Sequence, residues 1–328
     1  MKDFWKKQTK KGPLACLAPM DGYTDSAYRQ IVKSVNPDVF CFTEFYSADG
    51  LVHSPFLKDQ VLPHKKIEEP LIVQIFGKDP EMFAKAAKII EQYNVAGIDV
   101  NMGCPAKKVV RSGHGSSLMI NTDTAFKIIE ELNKATKLPV SVKTRLGFNN
   151  DEDLIPFAKG LENAGASLLT VHGRTTAQAY TGKANFEPIY ELKNHLNIPV
   201  IGNGDVINYD NGIAKLNNLD GFMIGRGSFG NPWCFLPNHY KPTLKEVLDM
   251  MLFHSKALEE NKGEKRASLE IRKHLVQYLH SFPGVKEFRK ELVTVESVEA
   301  THNIIEKIRG EYSDFLGEKL EDIKKASS

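Results

Sequence analysis

Residues 71–100, LIVQIFGKDPEMFAKAAKIIEQYNVAGIDV, contain two short apolar runs on either side of a segment with helical periodicity. The runs LIVQI (71–75) and GIDV (97–100) are almost continuously apolar, which is typical of parallel strands covered on both faces. Between them, PEMFAKAAKIIEQY (80–93) repeats apolar residues at the spacing of an amphipathic helix. This strand–helix–strand unit predicts a parallel sheet with helical crossovers.

The same alternation extends over most of the chain, with helical patterns such as TDTAFKIIEELNKAT (122–136) between apolar runs. The other six strand-like runs are LACLA (14–18), VFCFT (39–43), PVSVK (139–143), LLTVH (168–172), PVIG (199–202) and GFMIG (221–225). Thr122 and Asp151 are predicted helix N-caps. Eight such units predict an α/β fold, a closed (β/α)8 TIM barrel. An open doubly wound sheet is the alternative, but no strand here is followed by its GxGxxG fingerprint.

Past Pro242 the strand-like runs stop and helical periodicity dominates. The helical segments there are 243–261, 268–282 and 295–310. We therefore predict two domains, a catalytic barrel at residues 1–240 and an all-helical domain at residues 241–328.

Composition sets the class of protein but not its partner. The 328 residues are 41% hydrophobic, which is enough for a substantial core and excludes disorder. No apolar stretch approaches the roughly 20 residues needed to span a bilayer, and the N-terminal apolar run is too short for a signal peptide. We expect a cytoplasmic monomer. A net charge of +2 neither requires nor excludes an anionic partner.

The four cysteines lie far apart and form no CxxC pair, so we expect neither a disulfide framework nor a metal site. Cys16 and Cys41 lie inside apolar runs, where free cysteine acts as a small buried hydrophobe. Cys104 differs, because it lies between a glycine and a proline in a loop after the fourth strand. A cysteine in such a loop can act as an acid, a nucleophile or a metal ligand.

The active site of a TIM barrel is built from the loops at the C-terminal ends of its strands. Glycine-rich turns after strands 7 and 8 form the phosphate pocket of this fold, and a cation there adds charge. The residues in those two turns are Asn203, Gly204, Asp205, Gly225 and Arg226. Ordinary tight turns would explain either glycine cluster alone, but both clusters on these two loops favour a phosphate site.

Lys143 ends the fifth strand, and a lysine inside a barrel mouth is costly unless an anionic group meets it. A flavin suits this position, because a cation near its N1–C2=O edge stabilises the anionic reduced ring. Gln74 would bond the ring edge, while Pro19 and Met20 would contact the ring. Singly, Gln74 or His172 is as well explained as a structural polar residue.

These residues together resemble the tRNA-dihydrouridine synthase family over nearly the whole chain. The motifs that carry the resemblance are APMDGYTD (18–25), NMGCPAKKV (101–109), GSSLM (115–119), VKTRLG (142–147), HGRTTAQAYTGKANF (172–186), GNGD (202–205) and GRGSFGNPW (225–233). NMGCPAKKV followed by GSSLM is the most specific combination, although the family more often has GSALL than GSSLM.

The resemblance implies FMN at the barrel mouth, NADPH as electron donor and tRNA as partner. It further implies hydride transfer from flavin N5 to uracil C6, with Cys104 protonating C5 as the general acid. Carried over by motif, the FMN-binding residues are Pro19, Met20, Asp21, Gln74, Lys143, His172, Asn203, Gly204, Asp205, Gly225 and Arg226. The expected uracil-binding residues are Asn101, Arg145 and Tyr180.

The uracil must leave its stack to be reduced, so the enzyme must also hold the surrounding RNA. The segment IRKHLVQYLHSFPGVKEFRKEL (271–292) resembles the family's RKH…Y…FPG…FR pattern, which implies phosphate or groove contacts from Arg272, Lys273 and His274. A solvated helix face is the alternative reading of these three residues. The chain departs from the family in having Gln277 before Tyr278, where a tryptophan is common.

Two other functions stay open. One is an FMN barrel that oxidises or reduces a free pyrimidine, as dihydroorotate and dihydropyrimidine dehydrogenases do; it would leave the RKH and FPG motifs unexplained. The other is a non-catalytic RNA-binding protein with an inactive barrel, which the intact lysine, cysteine and phosphate loops disfavour.

Overall fold

The computed structural model describes residues 3–279, 284–320 and 322–323. The described residues form nine strands, which are β1 (Leu14–Leu17), β2 (Phe40–Phe42), β3 (Tyr46–Ser47), β4 (Leu71–Phe76), β5 (Gly97–Asn101), β6 (Val140–Arg145), β7 (Leu168–His172), β8 (Val200–Asn203) and β9 (Gly221–Ile224). All pairings between these strands are parallel, and β1, β2 and β4 to β9 close into a ring through the β1–β9 and β2–β4 pairs. The predicted eight-stranded barrel is confirmed, and β3 is a two-residue addition beside the end of β4.

Helices follow the strands around the ring and fill the C-terminal region. They are α1 (Phe4–Thr9), α2 (Ser26–Val35), α3 (Ala48–His53), α4 (Pro55–Val61), α5 (Pro80–Ile90), α6 (Lys107–Arg111), α7 (Thr122–Ala135), α8 (Leu154–Asn163), α9 (Glu187–Lys193), α10 (Tyr209–Ala214), α11 (Leu244–Lys262), α12 (Glu264–Tyr278), α13 (Val285–Leu292) and α14 (Val298–Glu311). Within the described ranges, no helix is long and apolar enough to cross a membrane.

Both predicted N-caps are wrong by one or two residues. Thr122 is the first residue of α7, and Asn121 takes the capping position before it. Asp153, not Asp151, precedes α8. Asn and Asp favour N-cap positions as strongly as Thr does, so residue type alone does not choose between close neighbours.

The inside of the barrel is apolar at its lower end and polar at its upper end. Trp5 on α1 is buried against Phe40 and Phe42, in a cluster that includes Leu168 from β7. Side chains alternate between the two faces of a strand, so the face of Leu168 also carries Thr170 and His172. The same strand therefore supplies core at one end and candidate site residues at the other.

The chain divides into two compact units. The first contains Met1–Thr24, Val39–Ile207 and Asn211–Gly225, and the second contains Asp25–Asp38, Asn208–Asp210 and Arg226–Ser328. The second unit therefore includes α2, which precedes most of the barrel in sequence. The assignment of RNA recognition to residues 241–328 stays a prediction.

A buried polar cluster lies inside the second unit, among the apolar residues of α11, α12 and α14. The rings of His254 and His274 lie 4.6 Å apart, and His254 Nδ1 is 3.1 Å from the hydroxyl of Tyr278. Lys262 joins Asp25 and Glu270 in ion pairs beside this cluster. Burial lowers the pKa of His254 to about 4, with Lys262 adding to the effect and Asp25 opposing it.

Candidate active site

The strand register brings the predicted residues of β5 to β8 together at the carboxyl ends of the strands. Asn101 is the register partner of Lys143, and His172 is the partner of both Arg145 and Asn203. Parallel strands place all these ends at one edge of the sheet. The sequence placed these residues at the ends of separate strands or directly after them, and closure of the barrel makes them neighbours.

Lys143 and Asn203 form a hydrogen-bonded pair at this edge. Lys143 Nζ donates to Asn203 Oδ1 at 3.1 Å, and Asn203 Nδ2 donates to the carbonyl of Met223 on β9 at 2.8 Å. Burial lowers the pKa of Lys143 to about 8; nearby Arg145 lowers it further and Asp99 opposes the shift. A buried lysine is costly unless an anionic group meets it, and the predicted contact of Lys143 with FMN stays a prediction.

A chain of side-chain hydrogen bonds runs from inside the barrel towards the Cys104 loop. Ser141 Oγ and Gln74 Nε2 each donate to the carboxylate of Asp99 at 2.6 Å. Gln74 Oε1 accepts from Asn101 Nδ2 at 2.9 Å. Sequence reasoning did not select Asp99 as a candidate site residue. The signal was present, because a carboxylate inside the apolar strand GIDV, two residues before Asn101, is costly to bury.

The backbone around Cys104 is held from two sides. Asn101 Oδ1 accepts from the backbone N–H of Gly103 at 3.2 Å and of Cys104 at 3.0 Å. The carbonyl of Cys104 accepts from the N–H and hydroxyl of Ser116, at 3.2 and 3.0 Å. Cys104 is partly exposed, whereas the other three cysteines are buried. Ser116 belongs to the GSSLM segment, so the structure gives that motif a physical role.

Gly115 allows this segment to approach Cys104. Its φ is +60°, and a Cβ there would lie 2.9 Å from the Cys104 carbonyl oxygen and 3.0 Å from a methyl group of Val109. A side chain would therefore push the two segments apart.

Arg145 joins the Cys104 loop to the loop that carries Tyr180. Its Nε donates to the carbonyl of Gly103 at 2.7 Å, and its Nη1 donates to the carbonyls of Thr175 and Ala179 at 3.0 and 2.8 Å. The guanidinium carbon lies 5.6 Å from the centre of the Tyr180 ring, which is 61% exposed. Three of the five N–H donors of an arginine are used here, and Nη2 carries the other two.

Asp205 forms an ion pair within the same unit. Its carboxylate accepts from Arg174 Nη2 at 2.7 Å and from the N–H of Ala184 at 2.8 Å. Arg174 also donates to the carbonyls of Thr181 and Gly182. The pair therefore fixes the 181–184 end of the Tyr180 loop, a role that sequence reasoning did not give to either residue. The contact between Asp205 and FMN stays a prediction.

The remaining predicted FMN residues lie on the loops after β1 and β9. Pro19 and Met20 are half-buried and Asp21 is exposed. A Cβ on Gly225 would meet Met20 Sδ at 3.5 Å, so these two loops touch. Arg226 begins a short 3-10 helix that belongs to the second unit, and its phosphate contact stays a prediction.

The three predicted RNA-binding residues of α12 have different surroundings. His274 is only 2% exposed and packs against Tyr28, with burial lowering its pKa well below the usual range. A buried neutral ring offers neither surface nor charge to a phosphate, so we correct the prediction for His274. Arg272 donates from Nε and Nη2 to the carbonyl of Val295, and Lys273 is half-buried. Phe282 and Pro283 of the FPG motif lie outside the described residues.

Comparison with known proteins finds dihydrouridine synthases that match this chain over most of its length. The family model for dihydrouridine synthase matches residues 16–313. The chain is 35% identical over 320 residues to "Probable tRNA-dihydrouridine synthase 1" of Synechocystis sp., a match that covers 92% of this chain and 90% of that protein. It is 34% identical over 296 residues to "tRNA-dihydrouridine synthase B" of Pseudomonas aeruginosa, covering 87% and 89% of the two chains.

Among solved structures, a complex of 2-naphthoyl-CoA reductase with 2-naphthoyl-CoA has the same barrel fold. The TM-score is 0.55 at 12% identity, over 68% of this chain and 49% of that one. Because the identity is so low, this likeness concerns the fold alone. The family match and the two relatives cover nearly the whole chain, and on that basis the chain belongs to the dihydrouridine synthase (Dus) family.

Proposed function

We propose that this protein is an FMN-dependent, NADPH-driven enzyme that reduces the C5–C6 double bond of specific uridines in tRNA to dihydrouridine. The observation that carries the proposal is the meeting of three groups in the first unit. They are the Cys104 loop, the Lys143–Asn203 pair and Arg145, which bonds the carbonyl next to Cys104. Membership of the dihydrouridine synthase family supports the same reaction.

The residues present fit FMN. Lys143 supplies a cation beside the amide of Asn203, which suits the polar edge of the flavin ring. Gln74 is fully buried and its amide bonds Asp99 and Asn101, so its contact with the ring stays a prediction. The hydroxyl of Thr170, the register partner of Lys143, is buried without a hydrogen-bond partner among the described residues. FMN supplies, when bound, the hydride for uracil C6, and NADPH replenishes it.

Cys104 gives a proton to C5 in this proposal. Reduction at C6 leaves negative charge shared between C5 and the O4 carbonyl, and a positioned thiol ends that state by protonating C5. Asn101 and Ser116 hold the Cys104 backbone on two sides, so the thiol approaches from a fixed main chain.

Arg145 and Tyr180 hold the uracil. The two N–H groups on Arg145 Nη2 are suited to a carbonyl oxygen of the base, while the other three fix its position. The exposed ring of Tyr180 offers a face on which a base can stack. Asn101 already uses both ends of its amide, so we assign its effect on the uracil to the Cys104 loop that it holds.

The tRNA needs further contacts, because an extruded uracil carries the rest of the RNA with it. Three basic residues on α6 follow Cys104 in the chain and are exposed, which suits contacts with phosphate oxygens; they are Lys107, Lys108 and Arg111. In the second unit we keep Lys273 and Arg272 as phosphate contacts. The predicted cytoplasmic location and monomeric state stay predictions.

Purified protein tests the proposal directly. With FMN, NADPH and tRNA that lacks dihydrouridine, we expect dihydrouridine to form, and we expect free uridine and dihydroorotate to react far more slowly. Equal rates with the free pyrimidines would favour a small-molecule oxidoreductase. A protein that binds RNA but takes up no FMN would instead be a non-catalytic binder. Mapping dihydrouridine in RNA from cells without the gene, and again after its restoration, would give the position.

A further inference from the structure

Asp99 is fully buried inside the barrel, and the reaction described above does not use it. Burial raises its pKa to about 6, and its bonds to Ser141 and Gln74 and the nearby Lys143 oppose the shift. A buried carboxylate costs stability, so it calls for an explanation beyond packing. The position of Asp99 supplies that explanation, because it bonds Gln74 directly and Gln74 in turn bonds Asn101.

An ionised carboxylate accepts hydrogen bonds but donates none. Asp99 therefore makes Gln74 present its Nε2 end, and the Oε1 end of Gln74 must then face Asn101. That oxygen in turn requires the Nδ2 end of Asn101. The Oδ1 end of Asn101 is left pointing at the backbone N–H groups of Gly103 and Cys104.

We propose that Asp99 is a positioning residue, which fixes the orientation of the Gln74 and Asn101 amides and thereby holds the backbone of Cys104 in place. The inference deepens the proposed function, because it concerns the residue that we assign as the acid. An amide has two chemically different ends of nearly equal shape, so packing alone does not select between its two orientations. The carboxylate makes that selection by charge.

Asp99→Asn is the informative change, because it keeps the size of the side chain and adds a donor. The new amide can donate to Gln74, which lets Gln74 and then Asn101 turn over. Asn101 would then present Nδ2 to the N–H groups of Gly103 and Cys104, and those bonds would be lost. Ser141→Ala is the matched control, because it removes the other 2.6 Å bond to the same carboxylate without changing the side that faces Gln74.

A double variant, Asp99→Asn with Gln74→Glu, moves the carboxylate from position 99 to position 74. The glutamate accepts at both oxygens, so it takes a bond from the new asparagine and another from Asn101 Nδ2. The orientation of Asn101 is thereby restored, although the residue types have been exchanged. A role in packing alone would not be recovered by this exchange.

Amide hydrogen exchange of the segment 102–106 gives the readout, measured above neutral pH, where Asp99 is ionised. We expect this segment to exchange about tenfold faster in Asp99→Asn and at the native rate in Ser141→Ala and in the double variant. Native exchange in Asp99→Asn would overturn the proposal. Equally faster exchange in α14, or in Ser141→Ala, would also overturn it, because either result indicates general loosening.

Turnover provides a second readout that separates this inference from the proposed function. In Asp99→Asn whose flavin has already been reduced, we expect dihydrouridine formation in a single turnover to fall about tenfold or more. If the native protein forms no dihydrouridine, the proposed function fails, and the exchange comparison still decides the role of Asp99. If the pre-reduced variant forms dihydrouridine at the native rate, Asp99 does not act on Cys104.

Discussion

At the residue scale, we propose that single side chains of the candidate site both bind the substrate and hold the protein around it. Arg145 is the clearest case, because three of its N–H groups bond the carbonyls of Gly103, Thr175 and Ala179. It thus fixes the two loops that carry Cys104 and Tyr180, and its Nη2 takes no part in these three bonds. The planar fork of arginine makes this combination geometrically available, and lysine has no equivalent.

Arg145→Lys is therefore not a conservative change. We expect kcat/KM for tRNA to fall about 100-fold, since the variant loses both the loop contacts and the donors for the base. Steady-state kinetics with unmodified tRNA measure this. Lys127→Arg, on the exposed face of α7, is the control and should change nothing. A variant within a factor of about two of the native value would remove Arg145 from the proposed site.

Several side chains that meet in the candidate site stand out in the sequence, but the hydrogen bonds between them do not. Lys143, Asn101 and Cys104 stand out because polar or reactive side chains follow apolar strands. Asp99 was missed, because its importance comes from bonds to Gln74 and Ser141 on neighbouring strands, which local sequence does not encode. His274 was misread for the same reason: basic neighbours indicated a surface, and tertiary packing buried it.

At the scale of elements, short segments outside the strands hold the Cys104 loop in place. The 3-10 helix Gly115–Met119 lies against Cys104 and supplies Ser116, and the positive φ of Gly115 permits that approach. The strands were predictable from apolar runs, and all eight barrel strands were found. The irregular segments were not, because their conformation depends on partners that fold beside them.

Gly115→Ala tests the contact between these segments, with Gly113→Ala as its matched control. Both glycines have positive φ, so a Cβ adds about 1 kcal/mol of backbone strain at each position. A Cβ at 113 would meet only the flexible Lys78 side chain, at 3.4 Å, whereas one at 115 strikes the Cys104 carbonyl. We therefore expect turnover to fall only in Gly115→Ala. Equal turnover in the two variants would contradict the assigned role of the segment.

We expect the Arg174–Asp205 pair to hold the loop that carries Tyr180 in a conformation that proteases cut slowly. Arg174→Gln removes the bonds to the carbonyls of Thr181 and Gly182, next to the exposed Lys183. Trypsin should then cut after Lys183 about tenfold faster. Arg309→Gln, which breaks the bond to Asp249 in the second unit, is the control and should leave this cleavage unchanged. Unchanged cleavage in Arg174→Gln would show that other contacts hold the loop.

At the scale of the whole molecule, the two units differ in the groups that they bury. The first unit carries the candidate active site, with Lys143 and Asp99 inside the barrel. The second carries the neutral pair His254 and His274. Apolar periodicity predicted a change of architecture near residue 241, but it did not place α2 in the second unit, because long-range packing decides that membership.

Acid should destabilise the second unit. Burial lowers the pKa of His254 to about 4 in the folded protein, whereas a histidine in the unfolded chain has a pKa of 6.5. The unfolded state therefore binds the proton more tightly. The contribution of His254 to the free energy of unfolding is therefore fully present above pH 6.5. It falls by about 3 kcal/mol as the pH drops from 6.5 towards 4.

The two tryptophans make the unit-specific measurement practical, since Trp5 lies in the first unit and Trp233 in the second. In the Trp5→Phe variant, urea unfolding followed by Trp233 fluorescence should show the loss on acidification. Adding His254→Leu should make the pH dependence shallower, whatever its effect on absolute stability. An unchanged pH dependence in that variant would exclude His254 as the cause.

Protonation by Cys104 is the central claim, and a single-turnover experiment on Cys104→Ala tests it most directly. Flavin reduction by NADPH and tRNA binding should both remain native. Dihydrouridine formation from the reduced enzyme should fall about 10²- to 10⁴-fold, because the general acid is missing. Dihydrouridine formed at the native rate by Cys104→Ala would contradict the account.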